Sequence, residues 1–405
     1  MERRGAARVS GCAAPRHEAL ARGAPQGLGH ARRCAVLPAG LLPHVFQARS
    51  VAPARPHASA ASLVSAPGHS APGLRENGPG PVFVSGRQHS GNTVLTMILG
   101  RAPGCFAQTD ENIFFERRAL IDRIADPERR AAAVAAELRI DRVDRQLSDR
   151  IAHHLAEWIG ARPEARALDL FREGMRFACE ATGRRFWCQK ATSYIFYGRE
   201  ILTLMPEARL LYMLRNPYDI CASRKRRADY EERIWGHMVS WNQGIRLARR
   251  LGAEFPDRFR IVKYEDLTAA PEPTVRGVFE FLGVPFDRSV LDIPHVNRSE
   301  SKYKLESESR GLNTSRINYY MNNLSAAEIA ALDMLADRRM IRESYPELPH
   351  RASRASTGTR LRAAGLIVKG PFHFARDYLS KPNRSPMQLL ARSIRRIGLL
   401  RGGRA

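Results

Sequence analysis

Two stretches of this 405-residue chain carry residue types suited to gripping anions. The first, residues 81–99, reads Pro-Val-Phe-Val-Ser-Gly-Arg-Gln-His-Ser-Gly-Asn-Thr-Val-Leu-Thr-Met-Ile-Leu. Pro81–Ser85 reads as a short buried strand, Gly86–Thr93 as a tight polar turn and Val94–Leu99 as the opening of a helix. These are the parts of a phosphate cradle, because successive backbone N–H groups and the helix dipole converge on one anion. The spacing from Gly86 to Gly91, followed by Asn92 and Thr93, mimics the nucleotide-triphosphatase pattern G-x-x-x-x-G-K-[ST]. Asn92 stands where the lysine of that pattern would reach the β/γ-phosphates. A kinase or ATPase reading therefore loses its main electrostatic element. Arg87 and His89 place basic groups inside the loop instead.

The second stretch, Leu211–Ser223, reads Leu-Tyr-Met-Leu-Arg-Asn-Pro-Tyr-Asp-Ile-Cys-Ala-Ser. Arg215 ends a continuous apolar run, Arg209–Leu214, of the length and character of a buried parallel strand. Pro217 starts a helix, and Ser223 falls about two turns along it. A strand-end guanidinium and a helix-borne hydroxyl can then face one phosphate, and the arginine fork of donors suits that geometry. Arg224, Lys225, Arg226 and Arg227 follow, with Arg227 on the same helix face as Ser223. The competing reading of Arg215 is a buried salt bridge to Asp219 or Glu265.

Strands and helices must bring these stretches together. The helical region from about Phe114 to Gly160 includes the amphipathic Val143–Trp158, and Leu168–Thr182 is another helix. Phe186–Lys190 is a second strand, and Tyr194–Leu204 a helix with one apolar side. Further helices cover Tyr218 to about Arg227 and Arg233–Leu251, and Phe259–Tyr264 is a strand. Pro271–Leu282 is a helix with prolines near its first turn. Ser325–Arg339 is helical and opens with a capping box, Ser325 at the N-cap and Glu328 at N3. Strands separated by helices imply right-handed crossovers and an α/β fold, a P-loop-type parallel sheet covered on both faces. Ligands of such sheets bind beyond the carboxyl ends of the strands. Gly86–Thr93, Lys190–Ser193 and Arg215–Ser223 all fall at such ends.

The net charge of +24 is unevenly placed. Residues 1–80 hold 10 Lys and Arg against 3 acids, and residues 351–405 hold 13 against 1. The basic character belongs mostly to the tails, which weakens any case that the folded part grips nucleic acid. Residues 1–79, rich in Ala, Arg and Pro, are expected to be disordered. One domain is expected over residues 80–348, with a basic, partly helical extension over 349–405. That extension has two basic, apolar-spaced stretches, Arg360–Tyr378 and Met387–Leu400. They either contact an anionic membrane weakly or stay solvated; the second is favoured, because their apolar faces look modest and interrupted. The six cysteines form no C-x-x-C pair and no metal-ligand spacing, which fits a reducing, cytoplasmic setting and no metal site. No run approaches the roughly 18 apolar residues of a membrane span.

At this point the chain resembles the sulfotransferase family. Its 5′-phosphosulfate loop is roughly G-x-x-[RK]-S-G-[TN]-[TS], and its 3′-phosphate motif roughly R-[DN]-P-x-[DE]-x-x-x-S. Gly86–Thr93 matches the first with His89 in the Lys/Arg position, and Arg215–Ser223 matches the second in type and spacing. Val262–Leu267 and Phe281–Pro285 are similar to the family's downstream sequence, and all four blocks come in order over about residues 81–345. The resemblance implies a donor, 3′-phosphoadenosine 5′-phosphosulfate, and in-line sulfuryl transfer to a hydroxyl or amine of a glycan, lipid or small molecule. It implies that Ser90, Gly91, Asn92, Thr93 and Val94 hold the 5′-phosphate, with Arg87 nearby. Arg215 and Ser223, with Arg227, would hold the 3′-phosphate. His89, Lys190 in Gln-Lys-Ala-Thr, and Arg87 are the candidates for charge beside the leaving phosphate; His89 has an unperturbed pKa near 6.5, which adjacent phosphates would raise. Glu111, in Asp-Glu-Asn-Ile-Phe-Phe, resembles the family's glutamate and is the expected general base, with Asp110 the near alternative; the other reading has either residue capping the next helix. His237, His295, His153 and His154 are given no role. The rival classes are an NTP-dependent kinase and a basic protein that binds nucleic acid or membrane.

Overall fold

The computed structural model describes residues 79–225, 234–297, 304–312, 314–348 and 355–379. The readings of residues 1–78, of Arg227 and of Met387–Leu400 lie outside the described residues.

Five strands form one parallel sheet: β1 (Val82–Gly86), β2 (Cys105–Glu111), β3 (Phe186–Lys190), β4 (Arg209–Leu214) and β5 (Phe259–Lys263). Their spatial order is β2-β3-β1-β4-β5. β1 and β4 are neighbours, in register from Val82 opposite Arg209 to Gly86 opposite Met213. The chain leaves β1 toward one edge of the sheet and leaves β4 toward the other. Loops that diverge from adjacent carboxyl ends open a crevice, which is where ligands of such sheets bind.

Alternation along the strands divides the core. Val82 and Val84 face α1 (Asn92–Gly100) and α10 (Pro271–Leu282), packing with Leu95, Ile98, Val278 and Phe279. Phe83 faces the other way, toward α5 (Ala167–Ala181) and α8 (Ile234–Glu254). Its ring meets Phe115, Trp187 and Tyr194 edge-on, with centroids 5.7, 5.1 and 5.3 Å away. Each such pair contributes about 0.5–1.5 kcal/mol beyond area burial, so Phe83 fixes β1 against its helical cover.

The expected helical region after Phe114 is three α-helices: α2 (Phe114–Ile121), α3 (Pro127–Leu138) and α4 (Arg145–Gly160). Asp126 and Asp144 cap α3 and α4, accepting from the Arg129 and Leu147 N–H groups. The segment expected as one helix over Tyr194–Leu204 begins as a 3-10 turn, and the α-helix proper, α6, spans Gly198–Leu204. α7 spans Pro217–Lys225, and α9 (Tyr264–Ala269) follows β5 directly. A two-stranded antiparallel sheet, β6 (Pro294–Asn297) with β7 (Lys304–Arg310), stands apart in pairing from the main sheet. After α11 (Tyr320–Asn323), α12 (Ala326–Leu335) carries the expected capping box, Ser325 and Glu328 each accepting from the other's N–H. α13 (Arg338–Ser344) and α14 (Thr357–Leu379) complete the described elements.

Candidate active site

The loop after β1 is shaped by backbone that only special residues tolerate. Gly91 has φ 91° and His89 φ 69°, both left-handed. A Cβ on Gly91 would lie 2.7 Å from the Tyr264 ring, and one on Gly86 would lie 2.5 Å from the Met213 carbonyl. Glycine is therefore required at both ends of the turn. The Asn92 amide donates to the carbonyls of Gly86 (2.9 Å) and Arg87 (3.3 Å). The residue in the lysine position thus closes the loop on itself. Gly91 is the N-cap of α1 and no side chain caps that helix, nor is its first turn acidic. The first N–H groups of Asn92, Thr93 and Val94 are the helix's orphan donors, at its positive end. Beside them the Ser90 hydroxyl is buried and has no hydrogen-bond partner among the described residues.

Arg215 reaches this loop from the end of β4. Its Nη1 donates to the His89 carbonyl (2.6 Å), its Nη2 donates to the Arg316 carbonyl (2.8 Å), and its Nε is buried without a hydrogen-bond partner among the described residues. The guanidinium lies over the Tyr264 ring, 4.2 Å from the centroid, the ring against which Gly91 also packs. Stacking on a buried ring suits a planar, delocalised cation. The salt-bridge reading does not hold. Asp219 accepts instead from the N–H groups of Asn318 and Tyr320, both at 2.9 Å. Glu265 accepts from the Asn216 N–H (2.9 Å) and the Tyr345 hydroxyl (3.1 Å). Burial pushes both carboxyls above their ordinary range, while N–H donors and the Arg215 charge pull the other way.

Local sequence chemistry fixes the Arg215 backbone. Asn216 accepts the Tyr218 N–H (2.9 Å) and Pro217 opens α7, the side-chain cap and first-turn proline that start a helix. The Trp241 indole donates to the Arg215 carbonyl (3.0 Å). Ser223 lies half-buried on the last turn of α7. Its neighbour Arg224 donates to Gln88 Oε1 at the loop tip (2.6 Å), so α7 and the loop meet. Arg87 turns toward α8, where its Nη2 donates to Nδ1 of buried His237 (2.9 Å). Arginine stays protonated, so Nδ1 is the acceptor and the ring proton sits on Nε2.

Glu111 and Lys190 end neighbouring strands β2 and β3 and pair in register. Two residues, Thr109 and Asp110, bulge out of the ladder between Gln108 and Glu111. The bulge puts Glu111 opposite Lys190, with Oε2 3.5 Å from Nζ. Oε1 accepts from both the N–H (2.6 Å) and the hydroxyl of Thr192. Glu111 does not cap α2; that N–H, of Phe114, goes to Asn112 (2.9 Å). Buried Asn112 also takes the Tyr194 hydroxyl (2.9 Å) and donates to the Glu137 carbonyl (3.1 Å), which fixes the residue beside Glu111. Thr192 in turn sits over β1, its carbonyl 3.5 Å from Ser85 Oγ. The Lys190 side chain is buried and that of Glu111 is one-third exposed.

Nothing in the sequence alone singles out Asn112, Thr192, Gln88 or His237. Tyr264 had a signal, since it lies within the Val-Lys-Tyr-Glu-Asp-Leu block; its ring supports Arg215 and its neighbour Glu265 holds Asn216.

The profile of the sulfotransferase family matches residues 81–288, and the chain belongs to that family. A sulfotransferase domain from the Synechococcus PCC 7002 olefin synthase is 21% identical over 74% of this chain and 96% of that domain, with a TM-score of 0.39. A sulfotransferase domain from the curacin biosynthetic pathway is 16% identical over 71% and 97%, with a TM-score of 0.42. The sulfotransferase STF1 from Mycobacterium tuberculosis H37Rv is 16% identical over 67% and 77%, with a TM-score of 0.34. No curated protein matched.

Proposed function

We propose that this chain transfers the sulfuryl group of 3′-phosphoadenosine 5′-phosphosulfate to a hydroxyl or amine of a glycan, lipid or small-molecule acceptor. The observation that carries the reading is the contact of Arg215 with the His89 carbonyl, which puts a strand-end guanidinium at an uncapped helix start. A nucleotide with phosphates on both its 3′ and 5′ oxygens needs two anion sites about that close. The residues present fit it: Ser90 Oγ and Arg215 Nε are buried donors without hydrogen-bond partners among the described residues, and glycines at 86 and 91 leave backbone room.

When bound, the donor supplies a sulfuryl group on a phosphate leaving group. The N–H groups of residues 90–94 and the Thr93 hydroxyl hold the 5′-phosphate, and Arg215 with Ser223 holds the 3′-phosphate. Arg227 is proposed for that second site on sequence alone. Lys190 and His89 offset charge on the leaving phosphate, and the Glu111 carboxylate takes the acceptor's proton. Most of the rate then comes from positioning and preorganised charge, as in phosphoryl transfer. The kinase alternative is disfavoured by Asn92, whose amide is spent on two loop carbonyls.

Thermal-shift titration with adenosine 3′,5′-bisphosphate, ATP and duplex DNA tests the reading. The bisphosphate stabilises the protein selectively, by the linkage of ligand binding to folding. Equal or greater stabilisation by ATP contradicts it.

A further inference from the structure

α14 has two unlike faces. Its inner face is built on Ala363, fully buried, and on Gly370, against which Trp235 of α8 packs so closely that a Cβ would clash. Phe374 sits beside the same tryptophan, ring centroids 5.9 Å apart. Its outer face carries Leu361, Val368, Phe372 and Leu379, which are 70, 77, 68 and 41% exposed. Steps of seven, four and seven residues put all four in one line along the helix. Isolated exposed apolar side chains are ordinary; a line of them the length of a helix marks a contact surface.

The charge around that line selects the occupant. Arg362, Lys369 and Arg376, all exposed, repeat at seven-residue intervals along one edge of the apolar line. Residues 351–405 hold 13 Lys and Arg against one Asp. A second copy of this chain would bring the same cations against each other. Nucleic acid would answer the charge and leave the apolar line in water. An anionic bilayer answers both, because apolar side chains enter the acyl boundary while Lys and Arg reach the headgroups.

We infer that α14 is an in-plane membrane helix, by which the protein docks on anionic lipid surfaces through Leu361, Val368, Phe372 and Leu379. Of the two readings of this stretch, membrane contact and a solvated extension, we take the first. The interruptions, Gly370 and Pro371 among them, fall off the apolar line, and Gly370 serves the inner packing.

Co-sedimentation of the full chain with phosphatidylcholine vesicles, and with vesicles also containing phosphatidylglycerol, tests the inference. The wild type pellets with the anionic vesicles only. Val368→Asp/Phe372→Asp lowers that partitioning by about tenfold or more, with melting temperature and bisphosphate binding unchanged. Arg362→Gln/Lys369→Gln/Arg376→Gln weakens it in the same direction and removes part of its salt dependence. The inference fails if the wild type does not pellet, or if Val368→Asp/Phe372→Asp pellets like the wild type. It also fails if that double variant turns a wild-type dimer into a monomer in light scattering, since a second copy would then cover the line.

Discussion

The Arg215 guanidinium donates to the His89 carbonyl across 2.6 Å, joining the end of β4 to the loop that follows β1. Two residues far apart in sequence, one just past β4 and one in the loop after β1, thus share one corner of the crevice between diverging loops. The Tyr264 ring underlies the guanidinium, and it leaves no room for a Cβ at Gly91. A cation held so firmly before any ligand arrives costs little reorganisation when an anion binds.

Asn92 is a structural clasp, and its loss is felt in stability before chemistry. Asn92→Ala removes the amide that serves the Gly86 and Arg87 carbonyls. The cost is about 1–3 kcal/mol, the range for leaving buried polar groups unpaired. Urea unfolding followed by circular dichroism reads it as a lower midpoint at unchanged slope.

Glu111 is held by Thr192 on one oxygen and faces Lys190 with the other. Glu111→Gln keeps an acceptor for the Thr192 N–H and removes the proton acceptor. Turnover falls by about 10²-fold or more, the usual contribution of general acid–base catalysis, while donor affinity changes little. Full activity in this variant would move the base elsewhere, with Asp110→Asn the next substitution to make.

His89 tests whether the loop's imidazole takes part in the chemistry or only in the turn. Asparagine tolerates the left-handed conformation that His89 adopts, so His89→Asn leaves the backbone in place. Turnover drops by about tenfold or more, roughly 1.4 kcal/mol in the barrier, while the bisphosphate still binds. Wild-type turnover in the variant would remove the imidazole from the mechanism and leave Lys190 as the charge beside the leaving group.

The helical cover holds a pH-sensitive cluster away from the site. Arg176 donates to Glu173, and this bonding holds the Glu173 carboxyl below its usual range, with burial opposing it and His154 reinforcing it. A carboxyl whose pKa is lower folded than unfolded stabilises above its unfolded value, and that contribution is lost as pH falls through the folded value. Glu173→Gln is therefore less stable than the wild type at neutral pH, and the gap closes below about pH 4.5. A series of thermal melts against pH reads the convergence.

Much of this arrangement was legible in the residues. β3 falls where Phe186–Lys190 was expected as a short strand, and β4 where the apolar run Arg209–Leu214 was, because a strand buried on both faces writes itself as a continuous apolar segment. The turns that follow β1 and β4 were both readable from their glycines and proline. β2 was not, since Cys-Phe-Ala-Gln-Thr-Asp-Glu is half polar; its Gln108 is buried by bonding to Gln189 and the Leu138 carbonyl, partners that only the tertiary fold supplies. Which of Asp110 and Glu111 faces Lys190 depended on a bulge, which leaves no mark in a single sequence. The stacking of Tyr264 likewise depends on how β5 sits beside β4.

The central claim is that one pocket reads phosphates at both ends of an adenylate, with Arg215 reading the 3′ end. Calorimetric titration of the wild type and of Arg215→Ala with adenosine 3′,5′-bisphosphate and adenosine 5′-monophosphate tests it most directly. The wild type prefers the bisphosphate by about tenfold or more, the worth of a charge-assisted bidentate contact, and Arg215→Ala loses the preference. Equal affinity of the wild type for the two nucleotides would contradict the account.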